Sequence, residues 1–255
     1  MRLLIVGCEY SGTTTFTWQV MTWAKKHLGA PDLGPHDHFK WPHIAHPKAS
    51  STEAHDKYLH DWEAGRGPDP TTHALTLEEK MQLLDLPPTI QEMFMRYLIQ
   101  YHLQDAFYSD PDMVMVGMHF DEAIYAPLFY GYGAVGQYAA RNHESRIVEQ
   151  RLYDVAPDLV LIQVKATPET IAKRLKAKPH PHGIIKEKDI ELVLKRFQQE
   201  YEDSSIYRRF TIDTTRASPA ECLEQFVENM KPLWTESDRM RMMAHRELAK
   251  QGYGV

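Results

Sequence analysis

Four short apolar runs along the chain predict buried β-strands. They cover residues 2–7, 113–118, 159–164 and 210–213, and the first three have almost no polar residue between their aliphatic side chains. Such runs are typical of strands that are covered on both faces of a parallel sheet. The run at residues 2–7 opens the chain and ends in glycine, and we expect it to form a central strand.

Segments with helical spacing follow these runs. From Thr14 to Leu28 apolar residues recur at helical spacing, and Gly29 then provides a helix stop. Thr167-Pro168-Glu169 and Ser218-Pro219-Ala220-Glu221 mark two further helix starts, since a capping hydroxyl precedes a proline and an acidic residue. Strands that alternate with helices predict an α/β fold with a three-layer parallel sheet.

Three segments depart from this alternation within an expected single domain over residues 1–255. Residues from about 40 to 110 predict a helical insertion over the ligand side of the sheet, with helices at 76–85 and 89–107. A further strand, expected soon after the first helix, is poorly indicated and could only lie around residues 33–39. Residues 173–186 form a basic, proline-broken stretch, which we call the lid segment. Residues 235–255 predict a peripheral or oligomer-contacting helical tail, which leaves a homodimer open.

Composition and charge narrow the function classes. Hydrophobic residues make up 43% of the chain and charged residues 25%, which is typical of a folded globular protein. A net charge of −6 provides no global basic field for nucleic acid, and no apolar run approaches the roughly 18 residues of a membrane span. Two distant cysteines, Cys8 and Cys222, fit a reducing compartment. We therefore expect a cytoplasmic protein with a small-molecule substrate and no nucleic-acid or membrane partner.

A glycine loop between the first strand and the first helix predicts a phosphate site. Its sequence, Gly7-Cys8-Glu9-Tyr10-Ser11-Gly12-Thr13-Thr14, has the spacing of G-x-x-x-x-G-K-[ST] in the expected structural context. Backbone N–H groups and a helix N-terminus would converge on a bound phosphate there. Thr13 stands in the lysine position, whereas Thr14 keeps the hydroxyl that would reach a magnesium ion. A tight turn without any ligand is the alternative interpretation.

With this loop the order of motifs resembles that of the P-loop nucleoside, nucleotide and other small-molecule kinases, with a degenerate Walker A loop. The resemblance covers the layout of residues 1–232, with weak motif identity. The motifs that carry it are His36-Asp37-His38, His119-Phe120-Asp121-Glu122 with Tyr125, Arg141, Thr167-Pro168-Glu169 ahead of the basic residues 174–178, and Ile212-Asp213-Thr214. It implies a P-loop kinase-like fold.

The resemblance also implies ATP- and magnesium-dependent phosphoryl transfer to a hydroxyl or phosphate of a nucleoside, nucleotide or sugar-like compound. Such transfer needs a phosphate cradle, a bound metal and cations that neutralise the transferring group. The implied donor-phosphate residues are Gly7, Ser11, Gly12, Thr13, Thr14, Thr15 and Lys176. The implied catalytic residues are Asp37 as base, Asp121 and Glu122 for magnesium or acceptor, and Arg174 and Lys178 as further lid cations, with Thr14 and Asp121 as metal ligands. The implied substrate contacts are His38, Phe39, His119, Tyr125 and Arg141.

Structural roles compete with each of these assignments. Asp37 is also typical of a turn, Asp121 and Glu122 can cap the helix that follows them, and a basic run can be a solvated face. The aromatic stretch at residues 125–132 predicts either a core cluster or a wall for a planar or sugar-like substrate.

Two alternatives to a kinase use the same loop. Ser11-Gly12-Thr13-Thr14 is similar to the phosphosulfate loop of PAPS-dependent sulfotransferases, which would explain the missing lysine and would make His119 a candidate base. Glu9-Tyr10 in place of a basic neighbour, and Lys165-Ala166-Thr167 in place of an arginine-bearing motif, count against it. The other alternative is a nucleotide-binding protein that has lost catalysis together with its loop lysine.

Overall fold

The computed structural model describes residues 1–30, 82–180 and 183–252. In this part of the chain four strands form one parallel sheet in the order β2-β1-β3-β4. The strands are β1 (Arg2–Val6), β2 (Met113–Val116), β3 (Val160–Lys165) and β4 (Arg209–Asp213). The strand that opens the chain is therefore a central one, as its apolar run predicts, and all carboxyl ends of the strands meet at one edge.

Helices connect and flank these strands. They are α1 (Thr13–Leu28), α2 (Pro88–Tyr101), α3 (Met118–Tyr125), α4 (Arg141–Val155), α5 (Pro168–Ala177), α6 (Ile190–Asp203), α7 (Pro219–Met230) and α8 (Glu236–Lys250). A π-helical turn, Ala126–Tyr130, continues α3. No helix of the described residues is both long enough and apolar enough to cross a membrane.

Alternation along β1 divides the core between the two faces of the sheet. Leu3 and Ile5 lie on the face that α1 and α7 cover, where Phe16 and Phe226 are among the largest buried side chains. Leu4 and Val6 lie on the opposite face, which the buried side chains of α2 to α6 cover. Two apolar faces need two covering layers of helices. The structure thus confirms the predicted three-layer parallel α/β architecture.

The helix signals in the sequence have the expected partners. The Thr167 hydroxyl accepts the Thr170 N–H at the start of α5, and Ser218 and Glu221 form a reciprocal capping box at the start of α7. Gly29 ends α1 with φ 63°, a left-handed conformation that glycine adopts at little cost. These short-range signals depend only on neighbouring residues, and the structure confirms them.

Several predicted boundaries move. The run at 113–118 ends as a strand at Val116, because Gly117 and Met118 have φ values of 77° and 49° and turn the chain into α3. The helix predicted at 89–107 stops at Tyr101, and a separate 3-10 turn spans Asp105–Tyr108. Residues 31–81, which include the strand predicted at 33–39 and most of the predicted insertion, lie outside the described residues.

Candidate active site

The predicted glycine loop lies where β1 meets α1, at the carboxyl edge of the sheet. A side chain at Gly7 would place its Cβ 2.4 Å from the Val164 carbonyl oxygen, so no other residue fits this approach of β1 to β3. Gly12 has φ 96° and immediately precedes α1. In open α/β sheets, ligands bind at this edge.

The N-terminus of α1 is open to an anion. Gly12 has no side chain to cap it, and the first turn, Thr13-Thr14-Thr15, contains no acidic residue. Unpaired N–H groups and the helix dipole make such an end attractive to a phosphate. The Thr14 side chain is exposed and Thr15 is half-buried. The first turn therefore presents hydroxyl and backbone donors and no competing negative charge.

The residue in the lysine position points into the loop. Thr13 is buried, and its hydroxyl is hydrogen bonded to the buried Ser11 hydroxyl at 3.0 Å. A Cβ at Gly7 would lie 2.7 Å from Ser11 Oγ and 2.9 Å from Thr13 Oγ1, so the two hydroxyls pack against this glycine. Ser11 and Thr13 thus shape the interior of the loop.

Arg174 from α5 contacts the backbone of the loop. Its Nη1 donates to the Tyr10 carbonyl at 2.9 Å and to Thr214 Oγ1 at 3.0 Å, and its Nη2 donates to the Thr214 carbonyl at 2.7 Å. Thr214 Oγ1 in turn donates to the Ser11 carbonyl at 2.5 Å. Arg174 of α5 and Thr214, which directly follows β4, therefore hold two consecutive carbonyls of the loop.

Glu9 and Tyr10 attach the lid segment to the loop. The Glu9 carboxylate accepts the N–H groups of Ile184 and Ile185 at 3.2 and 3.4 Å. The Tyr10 hydroxyl accepts the His180 N–H at 2.8 Å, and the two rings stack with their centroids 4.4 Å apart. Tyr10 has φ 65°, a left-handed conformation that non-glycine residues adopt only when surrounding contacts enforce it.

Lys176 and Lys178 are exposed and lie at the end of α5. Lys176 Nζ pairs with Glu187 Oε1, directly after the lid segment, at 2.6 Å. Both side chains can move, since exposed lysines lose little when they change partners. Of the three predicted lid cations, only Arg174 is in contact with the loop in this structure.

Asp121 and Tyr125 of α3 lie beside the loop. Asp121 is fully buried, and its Oδ2 would be 2.6 Å from a Cβ at Gly117, so the carboxylate packs against the end of β2. The Tyr125 hydroxyl accepts the Glu9 N–H at 3.4 Å. Burial raises the pKa of Tyr125 well above its ordinary value, and the nearby Cys8, Asp121 and Glu9 raise it further. Tyr125, a predicted substrate contact, therefore supports the loop through the Glu9 backbone in this structure.

Glu122 and Arg141, predicted to meet metal or substrate, bind each other. Arg141 is 3% exposed and donates from Nη2 to Glu122 and from Nη1 to Glu92 of α2, both at 3.1 Å. The Tyr132 hydroxyl donates to the same Glu122 oxygen at 2.8 Å. Burial raises the pKa of Glu122, although Arg141 opposes the shift. Because a buried cation needs paired anions, this cluster gives Glu122 and Arg141 a structural role, and their roles toward metal or substrate stay predictions.

His119 faces α4 instead of the loop. It is 2% exposed, and its Nε2 lies 3.4 Å from Glu149 Oε1. Successive positions on a helix point about 100° apart, so His119 and Asp121 of α3 cannot share one face. In the described structure His119 is thus paired with α4, and its role as a substrate contact or as the base of a sulfotransferase stays a prediction.

Sequence reasoning missed the roles of Glu9, Tyr10 and Thr214. Glu9 and Tyr10 stand inside the loop motif, but nothing local indicates that their side chains turn outward to the lid segment. The predicted base Asp37 and the predicted substrate contacts His38 and Phe39 lie outside the described residues. Among the described residues, no three His, Cys, Asp or Glu side chains are grouped to hold a metal ion by themselves.

Comparison with known proteins finds similarity only at the level of structure. No protein-family model and no curated protein sequence matches the chain. The YorR protein of Bacillus subtilis, solved in complex with phosphorylated GDP, is 16% identical with a TM-score of 0.46 over 92% of this chain and 99% of that chain.

Deoxyadenosine kinase of M. mycoides is similar in two complexes, each 13% identical with a TM-score of 0.46. The complex with the products dCMP and a flexible dCDP covers 92% of this chain and 100% of the kinase chain. The complex with dATP covers 90% and 99% respectively.

Proposed function

We propose that the protein is a phosphotransferase that moves a phosphoryl group from ATP, with magnesium, to a hydroxyl or phosphate of a small molecule such as a nucleoside, nucleotide or sugar-like compound. One observation carries the proposal. The loop between β1 and α1 approaches β3 closely at Gly7, turns at Gly12 with φ 96° and opens onto a helix N-terminus without a cap or an acid. This arrangement suits a phosphate chain better than any other ligand class.

Different residues at the loop would hold the donor phosphates and the magnesium ion. Backbone N–H groups of the first turn of α1 would hold the phosphates, and the exposed Thr14 hydroxyl is available to the metal. Asp121, which is fully buried beside the loop, remains the proposed carboxylate ligand of magnesium. Bound magnesium would neutralise charge on the phosphates. Arg174 adds the positive charge that Thr13 lacks.

The acceptor would be bound by residues that follow α1 and by the lid segment. Asp37 remains the proposed base, with His38 and Phe39 as proposed acceptor contacts. Lys176 and Lys178 are exposed and can turn toward a transferring phosphoryl group, since the partner of Lys176 in the described part of the chain is the surface residue Glu187. We assign Glu122 and Arg141 to the support of α3.

Calorimetric titration of the purified protein tests the donor. MgATP should bind at micromolar concentration and more weakly after chelation of magnesium. Tight, metal-independent binding of 3′-phosphoadenosine 5′-phosphate would favour the sulfotransferase instead. If MgATP binds but no phosphoryl transfer to nucleosides, nucleotides or sugars is detected, the protein is a binding protein and the catalytic part of the proposal is wrong.

A glycine variant tests the loop. Gly12→Val should reduce MgATP affinity at least about 100-fold, because a branched side chain at φ 96° strains the backbone that directs the loop N–H groups and presses on Thr214 and Arg174. Gly136→Val is the matched control, since Gly136 has φ 83° but no heavy atom within 4 Å of an added Cβ. The control carries similar strain and should bind MgATP like the parent protein. Equal affinities of the two variants would remove the loop from the proposal.

A further inference from the structure

Two consecutive carbonyls of the loop accept hydrogen bonds from side chains of other elements. The Tyr10 carbonyl accepts from Arg174, and the Ser11 carbonyl accepts from Thr214 Oγ1. Arg174 also donates to Thr214 through both its hydroxyl and its carbonyl oxygen. The three residues therefore form one connected unit, which we call the carbonyl clamp.

The clamp determines where the loop N–H groups point. The C=O and N–H of a trans peptide point in opposite directions. Because the Ser11 carbonyl points to Thr214, the N–H of the same peptide, that of Gly12, points away from Thr214. Carbonyls that face away from a phosphate seat need donors of their own, since unpaired backbone groups are costly. Arg174 and Thr214 supply these donors.

The clamp also places the positive charge of Arg174 beside the loop, whose lysine position is occupied by Thr13. A Cβ at Gly12 would lie 3.5 Å from Thr214 Oγ1 and 3.7 Å from Arg174 Nη1, so the guanidinium borders the turn that precedes α1. The usual loop lysine would start from position 13, but the Thr13 hydroxyl turns inward to Ser11. A cation therefore reaches this loop from α5 instead of from the loop itself.

We propose that Arg174, together with Thr214, replaces the missing loop lysine as a positioning residue that holds the loop in its phosphate-binding conformation. The proposal rests on the proposed function for its phosphate ligand. It assigns Arg174 a fixed place, unlike the mobile lid cation that the kinase resemblance implies. Thr214 carries no charge and acts on the loop through its hydrogen bond to the Ser11 carbonyl. Its loss should therefore weaken binding through the loop conformation alone.

Substitutions at both positions test the proposal by calorimetry with MgATP and with inorganic tripolyphosphate. Thr214→Val removes one hydroxyl without a change in charge and should weaken both ligands about tenfold, the effect of about one hydrogen bond. Arg174→Met should weaken them about 100-fold, since charged hydrogen bonds are stronger. Thr215→Val and the exposed Lys195→Met are matched controls and should bind like the parent protein.

A second-site variant separates replacement of the lysine from general damage. Thr13→Lys restores the motif, so Thr13→Lys combined with Arg174→Met should recover at least about tenfold of the lost tripolyphosphate affinity. The same change in the parent protein should gain much less. A double variant that binds no better than Arg174→Met would overturn the replacement, and parent-like affinity of both Thr214→Val and Arg174→Met would overturn the clamp.

Hydrogen exchange distinguishes failure of the clamp from failure of the proposed function. The Ser11 N–H donates to the Cys8 carbonyl at 3.0 Å, so its exchange reports the loop conformation without any ligand. Thr214→Val should speed exchange in a peptide over residues 7–13 and leave β1 unchanged. If the parent protein binds neither MgATP nor tripolyphosphate, the proposed function fails, whereas unchanged exchange in Thr214→Val and Arg174→Met overturns the clamp by itself.

Discussion

Arg141 illustrates how single residues hold the helices around the candidate site. Its guanidinium lies between Glu122 of α3 and Glu92 of α2, and the side chains of all three residues are at most 4% exposed. Glu92 also pairs with Arg96, so two cations and two carboxylates alternate from the surface inward. Removal of one member of such a buried cluster leaves the others without compensation.

We expect Arg141→Met to lower the free energy of unfolding by about 3–5 kcal/mol, because Glu122 would remain buried without its cation and Glu92 would keep only its partner Arg96. Urea denaturation at neutral pH measures the change. Lys176→Met is the control, since Lys176 and Glu187 form an exposed pair that contributes at most about 1 kcal/mol. Equal losses in the two variants would contradict the buried pairing.

Among the structural elements, the lid segment is attached to the loop by side chains of the loop itself. Glu9 holds two lid N–H groups, and Tyr10 holds the His180 N–H and stacks on its ring. In the described structure these contacts join the lid segment directly to the glycine loop. Substitutions in the loop should therefore change the local stability of the lid segment.

Tyr10→Phe removes the acceptor for the His180 N–H and keeps the ring stack. We expect faster amide exchange and faster proteolysis across residues 177–186, while the thermal midpoint changes by only a few degrees, because one hydrogen bond contributes about 1 kcal/mol. Tyr97→Phe, at an exposed tyrosine of α2, is the control. Exchange in the lid segment that matches the control would contradict the attachment.

The predicted elements differ in how well the sequence defined them. The start of α7 follows from Ser218-Pro219-Ala220-Glu221, because a capping box involves only residues three positions apart. The end of β2 does not follow from its apolar run, because Met118 continues the run but has φ 49° in the turn to α3. Hydrophobicity therefore predicted the strand and missed the backbone turn that ends it.

For the molecule as a whole, Glu149 joins α4, which carries it, to α3 and to the segment between α6 and β4. It is fully buried and accepts from the hydroxyls of Ser204 and Ser205 at 2.7 and 2.8 Å, where α6 leads toward β4. His119 of α3 approaches it at 3.4 Å, and Arg146 pairs with it at the same distance. Burial raises the pKa of Glu149, but the hydrogen bonds from His119 and the serines outweigh burial and bring it to about 2.

Acid should therefore weaken the fold through Glu149. A carboxyl whose pKa is lower in the folded than in the unfolded state stabilises the fold above the unfolded pKa, and that stability is lost as pH falls toward the folded pKa. We expect Glu149→Gln to lose on the order of 3 kcal/mol at pH 7 and to show a smaller decline than the parent protein between pH 5 and pH 2. Urea denaturation across this range measures both effects. The exposed Glu224→Gln is the control, and a Glu149→Gln decline as steep as the parent's would contradict the prediction.

The sequence by itself determined the strands, the helix caps and the glycine loop, because each depends on backbone preferences and on side chains within a few positions. It thereby predicted the parallel α/β fold and the place of the glycine loop between β1 and α1. Only the tertiary structure decided which partner each polar side chain has: Arg174 reaches Tyr10 from 164 positions away, and Glu122 turns to Arg141, 19 positions away. Such partners are set by how helices pack on the sheet, and no local pattern in the chain records that packing.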